Sequence, residues 1–481
     1  MIGKAVSGIT LTLLLMGMLT LAFNIQPVRA SGTIYIRADG SVDPPDASIS
    51  SGDDITYTLT SNIYDSIVVE RDNIVVDGAG WRVDGNAFGL EKVLGLEKVL
   101  GLDLSHRSNV TVKNFKVTGF ETGIFLSGSS GNILLGNTAS NNYKGIVIAH
   151  SANNILRDNT MLDNCFNFGV FGSALCEFVQ DVDTSNTVNE KPIYYRVNQH
   201  DSQIPADAGY VAVINSTNIT VKNLNLQSNL QGVLFAHTVN STIEDNSVLD
   251  NRHDGIKLYS SNYNTISGNT ASNNRWSGIK LYSSNYNTIS GNNIINNAIQ
   301  AYDNGTNTWD NGAEGNYWSD YTGVDVKSGP NQDEPGSDNV GDTPYIIDAN
   351  NTDHYPLMNA WGAPSPPSYN LTISSSPTGV LFTVDGVPRT TPWAGIYNKG
   401  ASVSLVMPEN YNGYIWSHWL EDRNSSRTKT ITLTNNTTWT GVFARGVLPR
   451  MYVWIGLISA IISTVAASVV YVKYRKRKKQ T

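Results

Sequence analysis

Cysteine is nearly missing from this chain: Cys165 and Cys176 are the two in 481 residues. One bridge is the most they could form, so the fold is not built on disulfides. Charge is sparse too, at 15% of residues, and the formal net charge is −8. Eight cations lie in the two ends, which leaves about −16 on the rest. A body that acidic does not hold nucleic acid by neutralising phosphates. Cations or neutral glycans are its more natural partners. There is no HExxH, no phosphate-cradling loop and no recognisable Ser/His/Asp set. Between the ends, no stretch keeps a helical apolar period.

Long apolar runs occur at the ends. The first, "MIGKAVSGITLTLLLMGMLTLAF", is followed by "VRA", the layout of a secretory signal peptide over 1–30 cleaved after Ala30. The second, Tyr452 to Val472, holds 21 residues without a charge. At about 1.5 Å per residue it is long enough to cross a bilayer. The basic tail 473–481 then marks the cytoplasmic side. The expectation is a single-pass membrane protein with its body outside the cell.

What the body has in quantity is repetition. "GIKLYSSNYNTISGN" stands at Gly255–Asn269 and again at Gly278–Asn292. Looser copies begin at Gly123, Gly145 and Gly232. Each runs Gly-Ile-x-Leu, a small polar turn, a second short apolar stretch and then Asn-x4-Asn, as in Asn137/Asn142, Asn246/Asn251 and Asn269/Asn274. Short alternating strands and polar turns at this period predict coils of a parallel β-helix, in which equivalent residues stack into columns. The stacked asparagines are expected to bond rung to rung and to take left-handed turn positions. A leucine-rich repeat would need L-x-x-L-x-L-x-x-N, which these coils lack.

The expected organisation is an N-terminal cap at 31–64 and β-helix repeats at 65–308, interrupted by an insertion near 178–210. A C-terminal cap follows at 309–360, then a linker, "WGAPSPPSY", at 361–369. Residues 370–446 change to alternating strands with "PTG" and "VDG" turns and predict a small antiparallel β-sandwich. The fold class is thus all-β: a right-handed parallel β-helix, a sandwich and one C-terminal transmembrane helix.

Candidate site residues follow from the columns. Tyr143, Leu230, His253 and Trp276 share one position in their coils, and Asn142, Asn229, Arg252 and Arg275 precede them. With Ile256 and Leu258 inward, Lys257, Lys280, Tyr259 and Tyr282 point out. Aromatic rings suit sugar faces, and Arg and Lys bond hydroxyls or carboxylates. The plainer alternative is a solvent-facing ladder of stacked tyrosines. For catalysis the best candidates are Arg252, His253 and Asp254, but Ser277 replaces Asp254 in the twin coil. A hydrolase wants two facing carboxylates. The acidic turn "DVKSGPNQDEPGSDNVGD" offers Asp333, Asp338 and Asp342 as hard ligands for Ca²⁺, without the strict calcium-loop spacing.

"NIVVDGAGWRVDG" at Asn73–Gly85, "DTSNTVNEKPIYY" at Asp183–Tyr195 and "GNYWSDYTG" with "GDTPYIIDANNTDHYPLM" in Gly315–Met358 resemble the NosD-type β-helix family. That family takes its name from a periplasmic copper-binding protein, and its repeats are also called carbohydrate-binding and sugar-hydrolysis domains. The resemblance implies the β-helix, an exported body, and a small Ig-like or PEGA-like module beside a membrane span. It also implies copper handling. The residues do not offer a soft Cu(I) cluster: beyond the ends, Met161, Met358 and Met407 are the methionines, and the seven histidines are scattered. The function expected is a surface module that binds glycans or builds the envelope, without catalysis. Alternatives are a polysaccharide-processing lyase, hydrolase or epimerase, and an accessory in copper traffic.

Overall fold

The computed structural model describes residues 32–85, 99–364, 367–445, 461–472 and 475. The expected signal peptide at 1–30 and, apart from Arg475, the basic tail lie outside the described residues. The chain forms two compact units: residues up to 322 with 343–363, and 323–342 with residues from 364 on.

The first unit is a solenoid of parallel coils. Successive strands such as Thr122–Ser127, Lys144–Ala149 and Phe166–Phe171 pair in parallel with Ile124 opposite Ile146 and Ile146 opposite Phe168. Alternation sends Ile124, Leu126, Ile146, Ile148, Phe168 and Val170 into the core, all fully buried. Burial of each such side chain stabilises by roughly 1.5–3 kcal/mol. The coils rest on two seven-stranded sheets, two five-stranded sheets and one of eleven strands. Strands Ile34–Ile36 and Thr56–Leu59 already pair in parallel with Ile67–Val69 and Val75–Asp77.

The asparagine pairs form internal ladders. Asn246 Nδ2 donates to Asn269 Oδ1 at 2.9 Å, and Asn269 Nδ2 to Asn292 Oδ1 at 3.0 Å. Each amide also donates to a core carbonyl, as Asn246 does to Val221 O. A buried amide is tolerable only when satisfied in this way. The left-handed positions belong to the residue before each ladder asparagine, such as Asp245, Gly268, Asn273 and Gly291.

One departure governs everything after residue 187. Strand Thr187–Val188 pairs antiparallel with Lys191–Val197, Val188 opposite Lys191, around a two-residue turn. Asn189 and Glu190 both have positive φ, 45° and 68°, as a type I′ turn requires. The chain therefore re-enters the solenoid with its frame advanced. Strands of the Gly-Ile type, which in earlier coils fill a seven-stranded sheet ending at Phe166–Phe171, now extend the eleven-stranded sheet. Ile193 pairs with Tyr210, Val211 with Val233, Val233 with Ile256 and Ile256 with Ile279.

In the second unit, a five-stranded and a four-stranded sheet enclose Leu371, Ile373, Phe382, Tyr397, Leu405, Trp419 and Phe443. The expected all-antiparallel pairing is corrected at one place: the first strand, Ser368–Ser376, and the last, Thr437–Arg445, pair in parallel, Leu371 opposite Thr437. The expected transmembrane helix at 452–472 is also corrected. Among the described residues no helix is long and apolar enough to cross a membrane. Helical backbone is described at 461–472, and 452–460 lie outside the described residues. The single-pass topology and the membrane partner that rested on that helix fall with it.

Candidate functional site

The advance of frame brings two outer columns face to face. In the earlier coils Lys144 and Phe166 are register partners, and Tyr143 packs edge-on against Phe166 at 5.3 Å. In the later coils Leu230, His253 and Trp276 stand on successive rungs, linked by His253 N to Leu230 O and Trp276 N to His253 O. Tyr143 thus shares a sequence position with His253 and Trp276 but not a column. Leu230 bridges the two: its N–H donates to Phe168 O at 2.9 Å, and its side chain lies over Gly169. A Cβ at Gly169 would stand 2.4 Å from that of Leu230, so glycine is what allows the approach.

Lys257, Tyr259, Arg252 and Arg275 meet this re-entrant wall. Lys257 Nζ lies 5.5 Å from the Phe171 ring centre, and Arg275 lies 5.0 Å from that of Phe166. Arg275 Nη1 donates to the Tyr143 hydroxyl at 3.3 Å, across 132 residues of sequence. Phe171 packs edge-on against His253 at 5.0 Å, and Tyr259 packs against Phe178 at 5.1 Å. On the next rung Lys280 lies 4.9 Å from the Tyr302 ring and 5.8 Å from that of Trp276. Tyr259 and Tyr282 stack at 5.3 Å, as the plainer reading expected. The strip as a whole is not a free solvent-facing ladder; its inner members line a notch.

Burial sets the protonation in the notch. Asp254 is 3% exposed, and its Oδ1 has no hydrogen-bond partner. Burial pushes its carboxyl above the usual range, opposed by the positive charges of Lys257 and Lys280 and then by the hydroxyl and N–H of Ser277. Burial likewise lowers the Lys257 ammonium, opposed by Asp254. His253 is pushed down to about 4 by burial first, then by the surrounding cations Arg252, Lys257, Lys144 and Lys280. At neutral pH it is an uncharged imidazole. Lys144 is held by Glu121 at 3.1 Å. No ion pair engages Arg252, Lys257, Arg275 or Lys280 among the described residues. The Nε of Arg252 is enclosed without a partner.

The expected calcium turn does not gather its carboxylates. Asp338 accepts from Gly329 N, Gln332 Nε2 and Val340 N, and Asp342 from Val326 N and Lys327 N, while Asp333 is exposed. Among the described residues no group of three or more His, Cys, Asp or Glu side chains is placed to hold a metal ion. Cys165 and Cys176 are both exposed and unbonded.

The sequence reading missed Phe166 and Phe171. Their signal was thin: in "FNFGVF" Phe166 shares a face with Phe168 and Val170, and Phe171 is the one large apolar residue on the other, beside Asn167 and Gly169.

Parallel coils stacked into one core, with a cationic and aromatic notch on an outer face, define a parallel β-helix protein. The family described as periplasmic copper-binding protein (NosD) matches residues 47–188 and 206–323, more than half of the chain, and the chain belongs to it. The match ends at residue 323, the first residue of the second unit, so an Ig-like or PEGA-like label for that unit has no support. No curated protein matches the chain.

Among solved structures, a mutant of the periplasmic alginate epimerase AlgG is 15% identical with a TM-score of 0.25, over 53% of this chain and 66% of its own. The alginate lyase from Paenibacillus sp. str. FPU-7 is 11% identical with a TM-score of 0.24, over 52% of this chain and 97% of its own. The DFA-IIIase from Arthrobacter chlorophenolicus A6 is 11% identical with a TM-score of 0.23, over 52% of this chain and 69% of its own. The chain spans just under two thirds of the epimerase's length. Likenesses of this order set neither activity nor substrate for this chain.

The expectation of a membrane-anchored binding or envelope-structural module is corrected in its anchoring. No membrane-spanning helix is present among the described residues.

Copper, named in the family description, does not fit these residues. Met161 and Met407 are fully buried in apolar cores, in different units. No donor set of His, Cys and carboxylates converges among the described residues. Soft, convergent ligands are what Cu(I) requires.

Proposed function

We propose that this chain is an enzyme that acts on polysaccharide in the notch, with Asp254 and Lys257 as the proton-transferring pair. The observation that carries the reading is the enclosed Asp254 carboxyl, lacking a hydrogen-bond partner at Oδ1, three residues before the half-buried Lys257. Burial acts on both to favour their neutral forms, and a carboxylic acid beside a free amine is poised to give one proton and take another. Tyr143 and Trp276 supply ring faces for sugar, and Arg252 supplies a charge-assisted donor.

Hydrolysis is the less favoured reaction. It asks for two carboxyls facing each other across the scissile bond. The charges acting most strongly on Asp254 are instead the two lysines. Abstraction of a proton from carbon, leading to elimination or epimerisation, suits an amine base better.

The test is a panel of polysaccharides incubated with the full chain. Unsaturated sugar ends are read by ultraviolet absorbance, and proton exchange from solvent deuterium by NMR. Asp254→Asn and Lys257→Met should each lower turnover by about 10²–10⁴, the range for general acid–base groups. Full turnover in both variants, or no product from any polymer, would overturn the proposal.

A further inference from the structure

We infer that the notch takes an acidic polysaccharide, a polyuronate whose carboxylates are met by Arg252, Arg275 and Lys280. This rests on reading the notch as a polysaccharide-processing site, and it names the substrate class for that site.

Three observations carry it. First, Lys257 and Lys280 are direct register partners on neighbouring strands, and the backbone places Arg252 and Arg275 likewise one rung apart. Like charges directly opposite each other on adjacent strands are destabilising. Arg252, Arg275 and Lys280 are in no ion pair among the described residues, so the fold holds a concentration of positive charge that it does not itself neutralise.

Second, this concentration sits on a chain whose formal net charge is −8. A cationic notch on an acidic body draws an anion and repels the body's own surface, which favours selective recognition over general stickiness. The nearest carboxyls do not reverse the sign. Glu121 is engaged with Lys144 at 3.1 Å, and Asp254 is 3% exposed.

Third, the cations lie against rings: Arg275 against Phe166, Lys257 against Phe171, Lys280 against Trp276 and Tyr302. Each ring holds a cationic side chain in place on this face. The arrangement repeats along the solenoid axis at the strand spacing of about 4.8 Å, a period near the length of one pyranose in an extended chain. Apolar sugar faces over rings and carboxylates over cations match an acidic glycan better than a neutral glycan or a small anion.

The experiment is affinity electrophoresis of the full chain in gels cast with polygalacturonate or alginate, with carboxyl-reduced forms of the same polymers, and with dextran sulfate. Turnover of each polymer is measured in parallel. The expected result is retardation by a polyuronate at least tenfold stronger than by its carboxyl-reduced form, falling as salt is raised. Arg252→Gln with Arg275→Gln should lose at least tenfold in affinity with an unchanged melting temperature. Lys280→Gln, which alters one half-buried side chain, serves as the second variant should the double one fail to fold. Equal retardation by the carboxyl-reduced polymer overturns this inference and leaves the polysaccharide enzyme standing. Stronger binding to dextran sulfate than to any polyuronate overturns it in favour of sulfate esters. Binding and turnover of no polymer would sink both this inference and the function it rests on.

Discussion

The hydroxyl of Tyr259 donates to the carbonyl oxygen of Ser173 at 2.8 Å, joining residues 86 apart in sequence. Its twin one rung on, Tyr282, occupies the same place in an identical stretch of sequence and is 38% exposed. Tyr259→Phe should therefore lower stability by about 1 kcal/mol, the net value of one such bond. Tyr282→Phe should change it by less than about 0.5 kcal/mol, as surface changes usually do. Urea unfolding of the two variants checks this, and equal effects would deny that Tyr259 ties the two columns together.

The internal ladder should be far less tolerant than the turn beside it. Asn269→Ala removes the acceptor of both Asn246 N and Asn246 Nδ2 and leaves them enclosed. A loss of about 3 kcal/mol is expected from two unsatisfied donors. The exposed Asn273 has φ of 54°, and Asn273→Gly should shift stability by no more than about 0.5 kcal/mol. Denaturant midpoints of the pair decide it.

Glu190 sits at φ 68° in the turn that advances the solenoid frame. A left-handed conformation costs an ordinary residue roughly 1 kcal/mol, and glycine avoids that. Glu190→Gly should raise stability by about 0.5–1 kcal/mol, read as a higher melting temperature. A loss of stability would mean that the Glu190 side chain holds the turn in some other way.

Asp353 is fully buried and accepts from Trp318 Nε1 at 2.8 Å and Asn316 N at 2.7 Å, yet burial raises its carboxyl to about 6. An unfolded aspartate titrates near ~3.9. Between those values the folded state holds a proton that the unfolded chain has released, so stability falls as pH rises from about 4 to about 6. The fall is about 3 kcal/mol at most, at about 1.4 kcal/mol per pH unit. In Asp353→Asn this part of the pH dependence should vanish. An unchanged curve of melting temperature against pH would refute the assignment.

Lys257 should react as a free amine at lower pH than an ordinary lysine, because burial lowers its pKa. Asp254 opposes that shift, so Asp254→Asn should lower the Lys257 pKa further. Amine labelling across pH, read by mass spectrometry with a free lysine peptide as reference, measures both. A Lys257 that titrates like the free peptide would remove the amine base from the proposed chemistry.

Much of the solenoid was legible because its physics is periodic. Gly-Ile-x-Leu sends Ile256 and Leu258 inward in every coil that carries it, and the asparagine pairs announced the ladders. Which asparagine neighbour would be left-handed was not legible, since Asn, Asp and Gly all tolerate that backbone. The candidate site was legible by residue type: Arg252, His253, Asp254, Lys257, Arg275 and Trp276 stood out on one strip. Their surroundings were not, since Phe166, Phe171 and Tyr143 belong to coils some ninety to one hundred and thirty residues earlier.

The sequence by itself determined the coil, because side-chain alternation and a repeated amide position fix what one rung must bury and what it must bond to the next. Only the tertiary structure decided that the strip faces a wall. That outcome hangs on two residues, Asn189 and Glu190, whose reversal advances the frame and lays the later Gly-Ile strands beside the end of the earlier sheet. Local pattern cannot carry this, because a turn states its own dihedrals and not which distant strand its successors will meet. Burial then followed from that meeting, and with it the altered acidity of Asp254, Lys257 and His253.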